Sequence, residues 1–161
     1  MNGHCRIGVG RTRLTPTAPG ANCGWGFTGR KDARPPEEAD QELYATALTL
    51  EDAVGRRVAF VNVDLHAGGA HLWRAAVEAS GLDPSDVVIS GTHTHAGPGG
   101  YSHYALYNLT ILGFDEQNFT CIVDGMVGSI QEAYHSLAPG HIFINQGELL
   151  DCGKNRSLEA Y

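Results

Sequence analysis

Alternating and continuous runs of apolar residues predict five β-strands along the chain. Residues 57–65 (RVAFVNVDL) are rich in β-branched side chains and almost continuously apolar, which is typical of a buried strand. Residues 43–50 (LYATALTL) alternate as a half-buried strand does, and the short turn at 51–55 predicts a hairpin between the two. The other predicted strands are residues 6–15, 87–90 and 141–150.

Two segments carry apolar residues at helical spacing. Residues 68–80 show this pattern and are followed by Gly81, a typical C-terminal stop. Residues 114–137 predict a second helix, with Asp115 well placed to cap its exposed backbone N–H groups. The apolar faces are formed by Leu72, Trp73, Ala76 and Val77 in the first helix and by Phe119, Ile122, Val123, Val127 and Ile130 in the second.

The order of these elements predicts an α/β fold with a mixed sheet flanked by helices. The chain of 161 residues is long enough for one domain with a hydrophobic core. Residues 16–36 are rich in Gly, Pro and Ala without periodicity, so we expect a long loop there. The polar residues 155–161 add no closing element.

Composition and charge narrow the range of partners. Eleven basic against eighteen acidic residues give a net charge of -7, and no run of five or six like charges occurs. We therefore expect neither a nucleic-acid partner nor a polybasic membrane patch. No apolar run reaches the roughly 18 residues of a transmembrane helix, and the N-terminus lacks the apolar core of a signal peptide. These features leave the localisation of the protein open.

The cysteines do not predict a metal site. Cys5, Cys23, Cys121 and Cys152 form no C-x-x-C pair, and a domain of this size does not depend on disulfides. We expect free, mostly buried thiols.

The candidate site is the His93-Thr94-His95 motif, in the glycine-rich loop after predicted strand 87–90. In α/β sheets, ligands bind where loops leave the carboxyl ends of strands. If the motif is extended, both imidazoles point to one side and can share a metal, or one can ligate while the other contacts substrate. Alone, the motif also fits a turn with two solvent-exposed histidines, and it supplies at most two of the three protein ligands that catalytic zinc usually takes.

Further candidates are scattered along the chain. Asp64 is the most interesting, because it ends a buried strand at what is predicted to be the same sheet edge. Capping the next helix, or binding loop N–H groups, explains this carboxylate equally well. Arg156 follows predicted strand 141–150, and its guanidinium suits an oxyanion or a polar head group, although a solvated role is open too. The other candidate ligands are His66, His103, Glu148 and Asp151, whereas His4, His71, His135 and His141 look like surface or helix residues.

Two long segments resemble the neutral ceramidase family. They are GTHTHAGPGGYSHYALYNLTILGFDEQNF, from Gly91, and HIFINQGELLDCGKNRS, from His141. Members of that family have a G-T-H-T-H-S-G-P-G-G-Y loop, a nearby Leu-Gly-Phe, and later an I-F-x-N-x-G-E-L-L strand followed by I-N-R-S. The R-I-G-V-G-R and F-V-N-V-D-L segments also look like the first strands of the family, so the resemblance covers nearly the whole chain.

The resemblance implies a zinc-dependent amidase that cleaves the N-acyl bond of ceramide, giving sphingosine and a fatty acid. It implies that His93 is a zinc ligand, that His95 contacts the substrate or the reacting centre, and that Arg156 is an active-site arginine. The Zn²⁺ cofactor would lower the pKa of a bound water and polarise the amide carbonyl. Members of the family are often secreted or membrane-associated.

The chain also departs from the family pattern. Ala96 stands where many members have Ser, Lys154 where an apolar residue is common, and residues 29–40 do not follow the early loop. Family members continue with a second zinc-binding His, a Glu and a Tyr ligand, the active-site Ser and a C-terminal β-rich domain. We therefore expect residues 1–161 to be a partial N-terminal catalytic domain without the C-terminal domain, inactive alone and with unpaired apolar surface.

Two other functions are compatible with these motifs. One is a related zinc hydrolase that keeps His93 but acts on another amide or ester. The other is a degenerate module that binds lipid or a protein partner without catalysis. The intact histidine motif and the Asn-Arg-Ser sequence favour an enzyme.

Overall fold

The computed structural model describes residues 5–14, 42–94, 97–108, 113–148, 150 and 153. It confirms the α/β fold, both helices and four of the predicted strands; the predicted loop at 16–36 lies outside the described residues. The elements are β1 (Cys5–Leu14), β2 (Leu43–Glu51), β3 (Arg57–Val63), α1 (Ala70–Ser80), a 3-10 turn (Pro84–Asp86), β4 (Val87–Gly91), α2 (Ala105–Asn108), α3 (Glu116–His135) and β5 (Ala138–Gly140).

The start of α3 and the end of α1 lie where the sequence predicts them. Asp115 is the N-cap of α3, and its carboxylate accepts the backbone N–H of Asn118 at 3.0 Å. Helix α1 stops at Gly81, whose left-handed conformation (φ +69°) is one that glycine adopts without strain.

The five strands form one mixed sheet in the order β4-β3-β2-β1-β5. The predicted hairpin of β2 and β3 is confirmed, and β1 pairs antiparallel with both β2 and β5. Strands β3 and β4 are parallel and are connected through α1. Because parallel strands end at the same edge, the loops that follow β3 and β4 start side by side.

Helices α1 and α3 cover one face of the sheet, and small residues let α3 lie directly on β1. A Cβ atom at Gly8 would lie 1.8 Å from the Ala133 carbonyl oxygen, and one at Gly10 would lie 2.0 Å from the Ser129 carbonyl oxygen. Any larger residue at either position would therefore push the helix off the strand. The core that forms between the sheet and these helices consists of Leu14, Ala45, Ala47, Val61, Val63, Leu65, Leu72, Ala76, Tyr101, Ile122, Val123, Met126, Ile130 and Ala133.

The opposite face of the sheet carries an exposed apolar row. Val9, Leu48, Phe60 and Val88 are directly paired across four strands. Their side chains are between 38% and 55% exposed. Single exposed apolar residues are ordinary, but four in register form a continuous apolar surface.

The strand predicted at 141–150 is wrong. Residues 141–148 have no regular secondary structure, and Phe143 and Ile144 are 83% and 93% exposed. The strand that forms instead is β5, which is three residues long and pairs with Cys5–Ile7 at the edge of the sheet. An apolar, β-branched pattern favours a strand only where a partner strand is available, and none of the described strands pairs with residues 141–148.

Within the part of the chain that the structure describes, no helix is both long enough and apolar enough to cross a membrane.

Candidate active site

His93 lies just beyond the end of β4, in a left-handed backbone conformation. Its φ of +64° is the only positive φ at a non-glycine position among the described residues. Two backbone hydrogen bonds hold the segment against the loop after β3: Thr92 N–H donates to the Val63 carbonyl at 2.9 Å, and His93 N–H donates to the Leu65 carbonyl at 3.0 Å. A non-glycine residue in this conformation is strained, and such residues cluster at functional sites.

His93 does not lie in an extended segment, because β4 ends at Gly91 and the backbone turns at His93. His95 lies outside the described residues, as does Arg156.

The ring of His93 is fixed by the loop that follows β3. Its Nδ1 lies 2.8 Å from the His66 carbonyl oxygen. Because a carbonyl only accepts hydrogen bonds, Nδ1 carries the proton, and in the neutral ring Nε2 carries the lone pair. The His66 ring also packs against the His93 ring, with centroids 4.4 Å apart.

This arrangement fits a zinc ligand. Zinc-binding histidines typically donate their other ring N–H to a carbonyl or carboxylate, which sets the tautomer and the ring orientation. The His66 carbonyl does this for His93. Within the described ranges, no group of three or more His, Cys, Asp or Glu side chains could hold a metal ion.

Asp64 connects two strands of the sheet through hydrogen bonds. Its Oδ2 accepts the Tyr44 backbone N–H at 2.9 Å, and its own N–H donates to the Tyr44 carbonyl at 2.9 Å. The residue therefore joins the end of β3 to the start of β2 and does not cap α1, whose N-cap is Gly69 without a side-chain bond. Of the other candidate ligands, Glu148 is exposed and Asp151 lies outside the described residues.

His71 and His103 belong to an aromatic cluster next to the site. Their rings stack with centroids 4.7 Å apart, and both stack on Phe119. Burial lowers the pKa of His71 and nearby His103 lowers it further, whereas a 2.8 Å hydrogen bond from Nε2 to the Tyr101 carbonyl opposes this. His71 lies in α1, as expected for a helix residue, and its ring contacts with His103 and Phe119 could not be predicted from the local sequence.

A cavity of about 180 Å³ lies between α1, α2 and the loop 97–104. Its wall includes His66, whose ring packs against the ring of His93. The lining residues are His66, Ala67, Gly69, His71, Gly99, Gly100, Tyr101, Ser102, Tyr104, Tyr107 and Asn108.

Comparison with known proteins identifies relatives of the chain. Residues 6–161 match the family model described as neutral/alkaline non-lysosomal ceramidase, N-terminal. The chain is 40% identical to the neutral ceramidase of Pseudomonas aeruginosa over 161 residues, covering 95% of this chain and 23% of that protein. It is 44% identical to the neutral ceramidase of Oryza sativa subsp. japonica over 125 residues, covering 74% of this chain and 16% of that protein.

Solved structures agree with this assignment. A structure described as "Ceramidase complexed with C2" matches with a TM-score of 0.85 and 36% identity, over 98% of this chain and 25% of that one. The crystal structure of the neutral ceramidase from Pseudomonas aeruginosa matches with a TM-score of 0.76 and 36% identity, over 87% of this chain and 23% of that one. The chain thus spans a quarter or less of the length of these relatives. The match over nearly all of this chain, in sequence and in fold, shows that it belongs to the neutral/alkaline non-lysosomal ceramidase family, within the N-terminal region of that family.

Proposed function

We propose that this chain supplies part of the active site of a zinc-dependent ceramidase that hydrolyses the N-acyl bond of ceramide. In this proposal His93 is a zinc ligand, and His95 and Arg156 act on the substrate. The observation that carries it is the geometry of His93: a strained turn at the carboxyl end of β4, with Nδ1–H donated to the His66 carbonyl. The family relationship supplies the substrate class.

In this proposal each of the three residues has a separate role. The hydrogen bond to the His66 carbonyl keeps the proton of His93 on Nδ1, so Nε2 has its lone pair available in the neutral ring. When bound, zinc supplies a Lewis acid that polarises a carbonyl and lowers the pKa of water. Arg156 offers a planar fork of donors suited to the charge that develops on the amide oxygen, and His95 is assigned the role of orienting the substrate or the reacting centre.

The test is a chimera in which this chain replaces the matching N-terminal part of the Pseudomonas aeruginosa neutral ceramidase. Its zinc content and its hydrolysis of a fluorescent ceramide are measured together. We expect about one zinc per chain and measurable turnover, with both lost in His93→Ala. The matched control is His135→Ala, an exposed histidine at the end of α3, which should keep both.

The chain of 161 residues alone is the second sample. We expect it to show neither zinc nor turnover, because His93 supplies one ligand and a catalytic zinc normally takes three from the protein. A chimera that keeps its zinc and its turnover in His93→Ala would refute the ligand assignment. A chimera that cleaves other N-acyl amides in preference to ceramide would refute the assignment of ceramide as the substrate.

A further inference from the structure

The peptide group between His66 and Ala67 carries a hydrogen bond on each of its two sides. Its carbonyl oxygen lies 2.8 Å from Nδ1 of His93, and its N–H donates to the hydroxyl oxygen of Tyr101 at 3.3 Å. The same hydroxyl donates to the Ala67 carbonyl oxygen at 3.4 Å. Because the atoms of a peptide group lie in one plane, a bond that fixes its N–H also fixes the direction of its carbonyl. The Tyr101 hydroxyl is therefore connected to the His93 ring through one rigid group.

Tyr101 is itself held by the helices on its two sides. The residue belongs to the hydrophobic core and is 7% exposed. Its carbonyl accepts a hydrogen bond from Nε2 of His71, in α1, at 2.8 Å. The preceding carbonyl, of Gly100, accepts the backbone N–H of Asp115, at the start of α3, at 2.7 Å. Glycine permits this contact, because at position 100 a Cβ atom would lie 2.8 Å from the Cβ of Asp115 and the φ is +74°. Both helices thus determine where the hydroxyl lies.

A water molecule could not replace this hydroxyl fully. Ala67 is exposed, so water would reach its N–H if the hydroxyl were removed. Such a water exchanges and reorients, whereas the hydroxyl of a buried ring keeps its position. Hydrogen bonds in a chain also polarise one another, so a bond donated by the peptide N–H makes the carbonyl of the same group a better acceptor. The Tyr101 hydroxyl therefore strengthens the bond that the His93 ring donates.

We propose that Tyr101 is a positioning residue that holds the His93 ring, with its proton on Nδ1, through the peptide group that follows His66. This inference rests on the proposed function, in which His93 binds zinc through Nε2. Direct partners of the other nitrogen of a zinc-binding imidazole affect metal affinity by about 10- to 100-fold. Tyr101 acts one hydrogen bond further from the ring. We therefore expect an effect of about two- to fivefold, which corresponds to the net contribution of at most one ordinary hydrogen bond.

The experiment compares Tyr101→Phe, which removes only the hydroxyl, with the parent chain. The ring ¹⁵N chemical shifts of His93 are measured by NMR at a pH of about 8.5, roughly two units above the ordinary pKa of histidine, so that the ring is neutral. These shifts give the ratio of the Nδ1–H tautomer to the Nε2–H tautomer. The signals of His93 are those that disappear in His93→Gln. We expect the ratio to fall about two- to fivefold in Tyr101→Phe, with a urea midpoint close to that of the parent.

Tyr134→Phe is the matched control. It removes the same atom from a half-buried tyrosine of α3, whose ring lies 5.3 Å from the guanidinium of Arg57. Arg57 begins β3, whereas His66 follows the other end of that strand, so this variant should leave the tautomer ratio unchanged. In the chimera, the Kd for zinc is measured by competition with a chelator. It should weaken about two- to fivefold in Tyr101→Phe and remain unchanged in Tyr134→Phe.

The tautomer ratio separates this inference from the proposed function. A ratio that Tyr101→Phe leaves unchanged, or that Tyr134→Phe lowers equally, overturns the role of Tyr101 even if the chimera binds zinc and hydrolyses ceramide. A ratio lowered in Tyr101→Phe alone, in a protein whose chimera is inactive, keeps the positioning of the His93 ring and removes the ceramidase function. A ratio lowered in Tyr101→Phe alone, together with a weaker zinc Kd in an active chimera, supports both.

Discussion

Replacing His93 by glycine and by alanine should separate the strain at this residue from its chemistry. Both variants remove the imidazole and its hydrogen bond to the His66 carbonyl. Alanine keeps a Cβ atom in the left-handed conformation at φ +64°, whereas glycine does not. We therefore expect both variants of the chimera to lose zinc and turnover equally, but we expect their stabilities to differ.

The difference in stability follows from two opposing effects. The left-handed conformation costs a residue with a Cβ atom about 1–2 kcal/mol. Glycine gains freedom in the unfolded chain, which costs about 0.4–1 kcal/mol. His93→Gly should therefore be more stable than His93→Ala by about 0.5–1 kcal/mol. Relative to the natural residue, alanine should cost about 0.5–1 kcal/mol for the lost hydrogen bond, and glycine close to nothing.

The assay is equilibrium unfolding of the chain in urea, with the free energy of unfolding taken from the midpoint and slope. Thr92 provides a matched control, since it is an exposed neighbour whose φ is not positive. At Thr92 the stability difference between the two variants should have the opposite sign, with Thr92→Ala more stable than Thr92→Gly. If His93→Ala equals or exceeds His93→Gly in stability, the turn at His93 is not strained, and the main geometric argument for its role is lost.

Three further predictions test the fold around the site. Gly10→Ala, whose Cβ atom would lie 2.0 Å from the Ser129 carbonyl oxygen, should lower the free energy of unfolding in urea by about 3 kcal/mol or more. The control is Gly147→Ala, whose Cβ atom would meet no atom within 4 Å, and it should change the free energy of unfolding by less than about 0.5 kcal/mol. Folding lowers the pKa of His71, so the unfolded chain takes up this proton at a higher pH than the folded chain does, and stability should fall as the pH drops below about 6.5, the unfolded pKa. His71→Asn should reduce the change of the urea midpoint between pH 7.5 and pH 5.5. An unchanged pH dependence in this variant would contradict the lowered pKa of His71. Phe60→Glu should reduce self-association of the chain in light scattering without loss of helix by circular dichroism, since Phe60 is 43% exposed in the apolar row; loss of the fold would show that this face is already packed.

Local sequence pattern was sufficient for most of the fold. The helices α1 and α3 were predictable because apolar spacing, a capping aspartate and a stop glycine act within a few residues of one another. The strand expected at 141–150 failed because strand formation depends on a partner, which the residues themselves do not specify. In its place β5 includes Pro139, a residue that strands tolerate at a sheet edge.

The place of His93 after β4 was predictable from the sequence, but the geometry of the residue was not. The rule that ligands bind after the carboxyl ends of strands located His93, and the same rule brought His66 into consideration. The left-handed φ at His93 had no sequence signal, because histidine rarely adopts this conformation and glycine would be the usual indication. The bond from Tyr44 to Asp64 joins residues twenty positions apart, so no local pattern could reveal it.

The parallel pairing of β3 and β4 explains why a histidine at this position can be both strained and well oriented. Val63 and Gly91 are partners at the ends of the two strands, so the chain leaves both at the same edge. The backbone beyond Val63 then presents successive carbonyls, from Leu65 to the His93 backbone and from His66 to the His93 ring. Satisfying both bonds at once places the residue between two fixed carbonyls and offsets the cost of its left-handed turn. The fold thus fixes the orientation of the imidazole through backbone atoms, so substitution of the His66 side chain should disturb the tautomer of His93 less than any change in the register of β3 and β4.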